Sequence, residues 1–532
     1  MAKLLYPDFF NNVFGPIMQP GLSGSFAGTS RVGRIARHLL GERPVRAEIY
    51  WNPSDDRMHS LGNRMDDRGY LGGILDFAPD DERLFSAHEF ARAERISYRV
   101  EKSPAHNVHS GSVRIKLVGQ SGATATLIAR SVNDGMVTTC EMQGFPVVWR
   151  GDTHAVLATG DAMALSRLAH AYQGEALVQE RLVRADGAEA LFMELSDVPV
   201  RQILRVVSGE RTDIRVLPAL LPVVSTRARK PQLFQTVGEW RAVAQKMNVS
   251  FAQAAIEYEK AFSGWDDERI RAYLGTIADL MEKQIHSLER LGYDNVPDTP
   301  TLGAWNGYRA NAVSDGLTRH ILTHAFSVNA EIPGVKIVPG PMGMGGGYLF
   351  SALDAVREKI GASREKGIEA LAVAAGLGVI AYTHTNASGE VGCVGESVYC
   401  AMTSGAVAWL AGGDSVQVER AASMALQANI GIFCDPIPGG LQFPCITRTL
   451  RAAVTAPLFA DLALAGFDPM TPYHEVLGAM DKNDRETTGK ALCGSGGGMT
   501  CTPAACARTA FLQNEVMERR LISEAEDIHE RL

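Results

Sequence analysis

The sequence predicts an α+β protein made of an N-terminal α/β domain, a small ferredoxin-like module and a mostly α-helical C-terminal domain. Three observations carry this expectation. Before residue 225, apolar residues in several segments alternate with period two, the mark of half-buried strands. A β-α-β-β-α-β order can be read between residues 152 and 224. From residue 233 onward the pattern is helical, and its later segments are rich in Ala, Leu, Val and Met with Gly breaks, as in tightly packed core helices. A chain of 532 residues has room for about three or four domains.

The first domain is expected over residues 1–150. Thr29–Leu40 places Val32, Ile35, Ala36, Leu39 and Leu40 at helical spacing, with Thr29 or Ser30 as N-cap and Gly41 as the stop. Ser112–Val118 and Ala123–Ser131 alternate as strands. The module follows over residues 151–225. It comprises a strand at Thr153–Thr159, a helix at Asp161–Tyr172 capped by Asp161, and a hairpin of Glu175–Arg184 and Glu189–Leu195 around the turn dipeptide Asp186-Gly187. A helix at Asp197–Val207 and an extended stretch from Asp213 to Val224 complete it. This is the order of an ACT-like regulatory unit, although Gly160-Asp161-Ala162-Met163 replaces the Asp-Arg-Pro-Gly turn such units often carry. Residues 226–232, basic and ending near Pro231, read as a linker. Within 233–532, helices are expected at Glu239–Phe262, Asp266–Leu291, Gly367–Tyr382, Gly395–Leu410, Asp414–Ala428 and Thr449–Ala465.

Composition narrows the function. With 52 Lys and Arg against 60 Asp and Glu, the net charge of −8 argues against nucleic acid as the main partner. The longest apolar run, Ala370–Tyr382, is too short to cross a membrane and reads as a buried element. No signal-peptide core opens the sequence, and a cytoplasmic protein is expected. Seven of the 8 cysteines lie after residue 392. In a large cytosolic chain such thiols point to metal, redox chemistry or burial rather than disulfides.

Three polar, Gly- and Pro-rich breaks between apolar helices carry the chemistry. They are Thr385–Cys393, Cys434–Cys445 and the region from Arg485-Glu486-Thr487 to Thr502-Pro503. Loops at helix ends present backbone amides to a pocket, and three thiolates converging on one point are able to hold a cluster with one iron open as a Lewis acid. The spacings, 11 residues from Cys434 to Cys445 and 41 from Cys393 to Cys434, differ from ferredoxin runs and do not by themselves decide between a metal site and buried thiols.

These segments resemble the catalytic domain of the iron-sulfur-dependent L-serine dehydratases. The likeness rests on Gly392-Cys393, on the Cys434-Asp435-Pro436 to Pro444-Cys445 loop, on Arg485-Glu486-Thr487, on Thr502-Pro503 and on Ala463-Leu464-Ala465-Gly466. Near the N-terminus, Phe14–Met18, Arg31–Arg37, Gly72–Leu75 and Pro79–Arg83 are similar to the family's second domain. The resemblance implies a [4Fe-4S] cluster on Cys393, Cys434 and Cys445 and elimination of water from a small amino or hydroxy acid. It further implies substrate contacts from Ser23, Ser25, Asn386, Ser388 and Arg448, and a homodimer; Arg suits bidentate carboxylate binding. Cys493 or Cys501 is a candidate cap on the open iron.

Departures from the family pattern fall on the substrate side. Phe26 stands about where the family's loop has His, and Leu61–Asp67, Ser131–Gly135 and Pro339–Gly347 replace three further polar motifs. L-serine is therefore not expected to be the substrate, or not the only one, and the general base is open, with His384 and His59 as candidates. Two alternatives stand beside dehydration: a cysteine desulfidase-type C–S lyase, and a non-catalytic cluster-binding sensor. A metal-free enzyme with structural thiols is a third.

Overall fold

The computed structural model describes residues 7–21, 26–52, 66–103, 111–131, 135–209, 212–225, 231–291, 308, 313–314, 316–329, 334–340, 345–385, 394–432, 444–487, 499 and 502–507. Helix and sheet are mixed, with all strands before residue 218 among these residues.

A short π-helical turn, Phe9–Val13, precedes α1 (Gly28–Leu40), β1 (Pro44–Trp51), α2 (Asp66–Ile74), α3 (Ala87–Ala93), β2 (Ser97–Lys102), β3 (Val113–Gly119), β4 (Thr124–Ser131), β5 (Val137–Met142) and β6 (Phe145–Pro146). The strands form one sheet in the order β2-β1-β3-β4-β5-β6. β1 and β2 are parallel and the other pairs antiparallel. The predicted stripe Val32, Ile35, Ala36, Leu39 and Leu40 buries α1 against this sheet, and Gly41 ends the helix with φ 78°. Thr29 and Ser30 are not caps. Both lie inside the helix, where their hydroxyls donate to the carbonyls of Phe26 (3.1 Å) and Phe77 (2.9 Å); Ala27 before them is already helical, so no capped start is needed. α1 and α2 cross at Gly33 and Gly73. A Cβ on either would lie 2.3 Å and 2.0 Å from the carbonyl oxygens of Tyr70 and Ser30.

The next elements are β7 (His154–Thr159), α4 (Ala162–Ala171), β8 (Ala176–Val183), β9 (Glu189–Leu195), α5 (Arg201–Ser208) and β10 (Asp213–Leu217). Their sheet is antiparallel in the order β10-β7-β9-β8. Asp161 caps α4 by accepting from the Ala164 amide at 2.8 Å. Two expected boundaries move. α5 starts four residues later than Asp197, because Pro199 keeps the preceding residue out of helical geometry. β10 stops at Leu217, because Pro218 has no N–H for the ladder. Successive residues of β7 and β9 alternate between two cores. Ala155, Leu157, Ala190 and Phe192 face the first sheet's core, and Val156, Ala158, Leu191 and Met193 face α4 and α5.

The remaining elements are α6 (Val237–Met247), α7 (Phe251–Ser263), α8 (Asp267–Ile285), α9 (Ser287–Leu291), α10 (Gly316–Asn329), α11 (Gly345–Ile360), α12 (Arg364–His384), α13 (Val394–Leu410), α14 (Ser415–Gln427), α15 (Cys445–Leu464) and α16 (Tyr473–Thr487). The helix expected over Glu239–Phe262 is two helices. Asn248 turns left-handed (φ 53°) after α6, and Ser250 caps α7 by accepting from the Gln253 amide at 3.0 Å. α12 contains the apolar run Ala370–Tyr382, every residue of which is buried. It is the single helix among the described residues with the length and apolarity to span a membrane, and 78% of its apolar window is buried inside the protein.

The first described residues pack into this helical core, not onto the sheet that follows them. Phe9, Phe10, Val13 and Phe14 are fully buried there. Phe9 stacks on Tyr258, and its amide donates to Glu259 Oε2 at 2.8 Å. The Asn11 amide group pairs with Val223 in both directions, at 2.9 and 3.0 Å. Met18 then forms a two-bond bridge with Ile337. Asp8 opens this strap and accepts from the Asn11 amide at 2.5 Å. Burial, aided by the charge of Asp152, pushes its carboxyl from 3.8 up to about 7. The folded state thus keeps a proton that the unfolded chain releases near 3.8, so this group's contribution to stability declines as pH rises from there to about 7. Asp8→Asn is expected to remove that slope, with the variant gaining in Tm on wild type between pH 5 and pH 8. A Tm difference that stays constant across that range would contradict it.

Candidate functional site

Three helix N-termini meet in the helical core. α13 and α15 run side by side in the same direction. Near their starts the Tyr399 hydroxyl donates to the Thr449 carbonyl, and Cys400 Sγ donates to the Ala452 carbonyl at 3.6 Å. At their far ends a Cβ on Gly413 would lie 3.0 Å from Leu464. α11 starts against the same place, since a Cβ on Gly345 would lie 2.7 Å from the Tyr399 side chain. The chain leaving α14 is tied in as well. The Asn429 carbonyl accepts from Ser397 Oγ at 3.2 Å, and its side-chain oxygen accepts from Arg451. Unpaired amides and aligned peptide dipoles make such a junction favourable for negative charge.

Cys445, half-buried, is the first residue of α15, and its carbonyl accepts from Thr449 Oγ1 at 3.0 Å. Arg448 lies one turn further on. Cys393 immediately precedes α13, and Cys434 follows the segment held by Asn429, but both lie outside the described residues. So do Ser23, Ser25, His59, Asn386, Ser388, Cys493 and Cys501. His384 ends α12, where its Nε2–H donates to the Gln235 carbonyl at 2.8 Å and leaves Nδ1 as the basic nitrogen. Phe26 is fully buried in an apolar cluster with Met18, Phe77, Leu84 and Ile337. Arg485-Glu486-Thr487 closes α16.

Thiols at or beside helix N-termini are the ones most readily ionised. The thiol of Cys445, at the first turn of α15 beside the neighbouring α13, therefore fits a thiolate-bound group. Cys400 does not belong to that set. Burial pushes its thiol up to about 11, and it is spent on a backbone carbonyl. Among the described residues no group of three or more His, Cys, Asp and Glu is arranged to hold a metal ion.

Two polar groupings carry no sequence signal. His88 Nε2 meets the buried Asp67 at 2.5 Å while its Nδ1 meets the Tyr98 hydroxyl at 2.8 Å. His286, His320 and His324 form a contiguous imidazole cluster, with ring centroids 4.7 and 4.5 Å from that of His324. Asp67, His88 and Tyr98 come from three separate elements, and His286 at the end of α8 reaches the i,i+4 pair His320 and His324 of α10 only through tertiary packing.

Residues 245–499 match the model of the family described as serine dehydratase alpha chain. The L-serine dehydratase of Streptomyces coelicolor is 36% identical over 150 residues, 27% of this chain and 33% of that protein, so the match spans a third of its length. The L-serine dehydratase alpha chain of Peptoniphilus asaccharolyticus is 30% identical over 260 residues, 47% of this chain and 87% of that one. The probable L-serine dehydratase beta chain of Bacillus subtilis is 30% identical over 147 residues, 27% of this chain and 65% of that one. One chain thus carries likeness to both the alpha and the beta chains, and it belongs to the serine dehydratase family.

Proposed function

We propose that the protein is a [4Fe-4S]-dependent lyase that eliminates water, or another β-leaving group, from a small amino or hydroxy acid. The observation that carries the reading is the junction of the α13 and α15 N-termini, with Cys445 opening one helix and Cys393 directly before the other. Cys393, Cys434 and Cys445 would hold the cluster. When bound, it supplies an open iron that acts as a Lewis acid on the departing hydroxyl. The rest falls to the chain's own side chains. The carboxylate of the substrate is drawn to the helix N-termini, where Arg448 would bind it. Asn386 and Ser388, between α12 and α13, and Ser23 and Ser25 orient the remaining polar groups. His384, through Nδ1, or His59 takes the Cα proton.

The rewritten segments around Phe26 and Pro339–Gly347 favour a substrate other than L-serine, or in addition to it. The same reading takes residues 1–150, 151–225 and 233–532 as three units, with the linker 226–232 before the last, the strap Phe9–Phe14 of the first packed into the last and the ACT-like module packed against the first, in a cytoplasmic homodimer. The test is the content of iron and acid-labile sulfide in protein purified without oxygen. About four of each per chain are expected for a cubane cluster, followed by turnover in an anaerobic screen of serine, threonine, cysteine and other β-substituted acids. Release of sulfide from cysteine alone would identify a desulfidase, and cluster without turnover a sensor. Absence of iron and sulfide after reconstitution would remove the reading.

A further inference from the structure

We infer that a buried polar seam beside the α11 N-terminus is a subsite for an uncharged hydrogen-bonding tail, a carboxamide or hydroxyl, of the substrate; this rests on the reading that the substrate binds where the helix N-termini meet. The seam is lined by Gln284 at the end of α8, Ser287 on α9, and His324 and Ser327 on α10. Their exposures are 4%, 4%, 3% and 2%. Gln284 Oε1, Ser287 Oγ, His324 Nδ1 and Ser327 Oγ each lack a hydrogen-bond partner. Folded proteins pair nearly all such atoms, and a group of four on neighbouring turns calls for an occupant.

The seam adjoins the candidate site. Gln284 Oε1 fills the space that a Cβ on residue 347 would take, 2.5 Å away, beside Val328. Gly345, on the same first turn of α11, abuts Tyr399. The Tyr399 hydroxyl reaches the Thr449 carbonyl, one turn beyond Cys445.

The chemistry of the seam sets the class of ligand. His286 and His320, which touch His324, face outward to Glu289 (3.2 Å) and Glu358 (3.4 Å). His324 itself is kept neutral by burial and by those two rings, which push it down to about 3. None of the four unpaired groups carries charge at neutral pH, so an ionised tail would be buried without a counter-charge. A purely apolar tail would leave the polar atoms unpaired. Two hydroxyls, an amide and a neutral imidazole match a group that both donates and accepts. No metal ion is implied, since the imidazoles are not arranged to hold one.

The test compares binding of L-asparagine and its apolar isostere L-leucine to the anaerobically purified full chain, by calorimetry. Asparagine is expected to bind at least about tenfold more tightly. Ser327→Ala and Gln284→Met should cut that ratio severalfold while the affinity for leucine holds, in variants whose Tm confirms folding. Equal affinities, meaning that the seam holds ordered water only, would overturn the inference, as would binding of neither ligand or a ratio unmoved by both variants. Iron and sulfide are measured on the same sample. A preference for asparagine without cluster leaves the subsite standing and removes the lyase reading, whereas serine turnover without the preference does the reverse.

Discussion

Replacing Cys445 by serine is expected to strip iron and sulfide from the protein and to lower elimination activity by about three orders of magnitude or more. A Lewis-acid centre supplies several kcal/mol of transition-state stabilisation, and each 1.4 kcal/mol is a factor of ten in rate. The thiol stands at the start of a 20-residue helix, and cysteine sulfur is the usual protein ligand of iron-sulfur clusters. Serine is nearly isosteric but is not ionised there, and it is a poor ligand for iron. Cys400→Ser is the matched control. Cys400 lies on the neighbouring helix, fully buried, its thiol pushed up to about 11 and donated to the Ala452 carbonyl. That variant should retain its iron and lose at most some packing stability. Metal analysis of the two variants purified side by side without oxygen decides the matter. Equal iron in both would remove Cys445 from the ligand set.

The difference between these two cysteines marks what the sequence could and could not reveal. Helix interiors were legible where burial follows a period, as in α1 and α4, or where the run is apolar throughout, as in α12, and their ends were legible where a side chain makes the cap, as with Asp161 and Asp414. Boundaries moved where one residue vetoed the continuation, at Pro199, Pro218 and Asn248. The cysteine loops were recognisable as motifs, but the parallel approach of α13 and α15 that brings their starts together depends on contacts such as Tyr399 to Thr449, fifty residues apart. The seam of Gln284, Ser287, His324 and Ser327 was invisible for a related reason. Each residue taken alone is an ordinary polar residue on a helix, and burial without a partner is a property of the assembled core.

Removing residues 1–14 is expected to prevent stable folding of the helical part of the chain, although that part begins more than two hundred residues later. Phe9, Phe10, Val13 and Phe14 are wholly buried among α7, α8 and α12, with Phe10 stacked on Trp265 at 5.6 Å and packed edge-on to Tyr273 at 4.6 Å. Burying four such side chains is worth roughly 6–12 kcal/mol, about the whole net stability of an ordinary domain. The truncation also leaves the buried Glu259 carboxylate without the Phe9 amide, and Val223 without both of its bonds to Asn11. Soluble yield and denaturant unfolding of the truncated chain are the measurements, and a wild-type midpoint would contradict the argument. Asn11→Ala isolates the polar part. It should cost about 1–3 kcal/mol by leaving the Val223 backbone groups unpaired, with the apolar anchor intact. The consequences reach the site through the same strap. After Phe14 the chain pairs Met18 with Ile337, in the segment leading to the first turn of α11, so a loosened strap should weaken retention of the proposed cluster before the fold is lost.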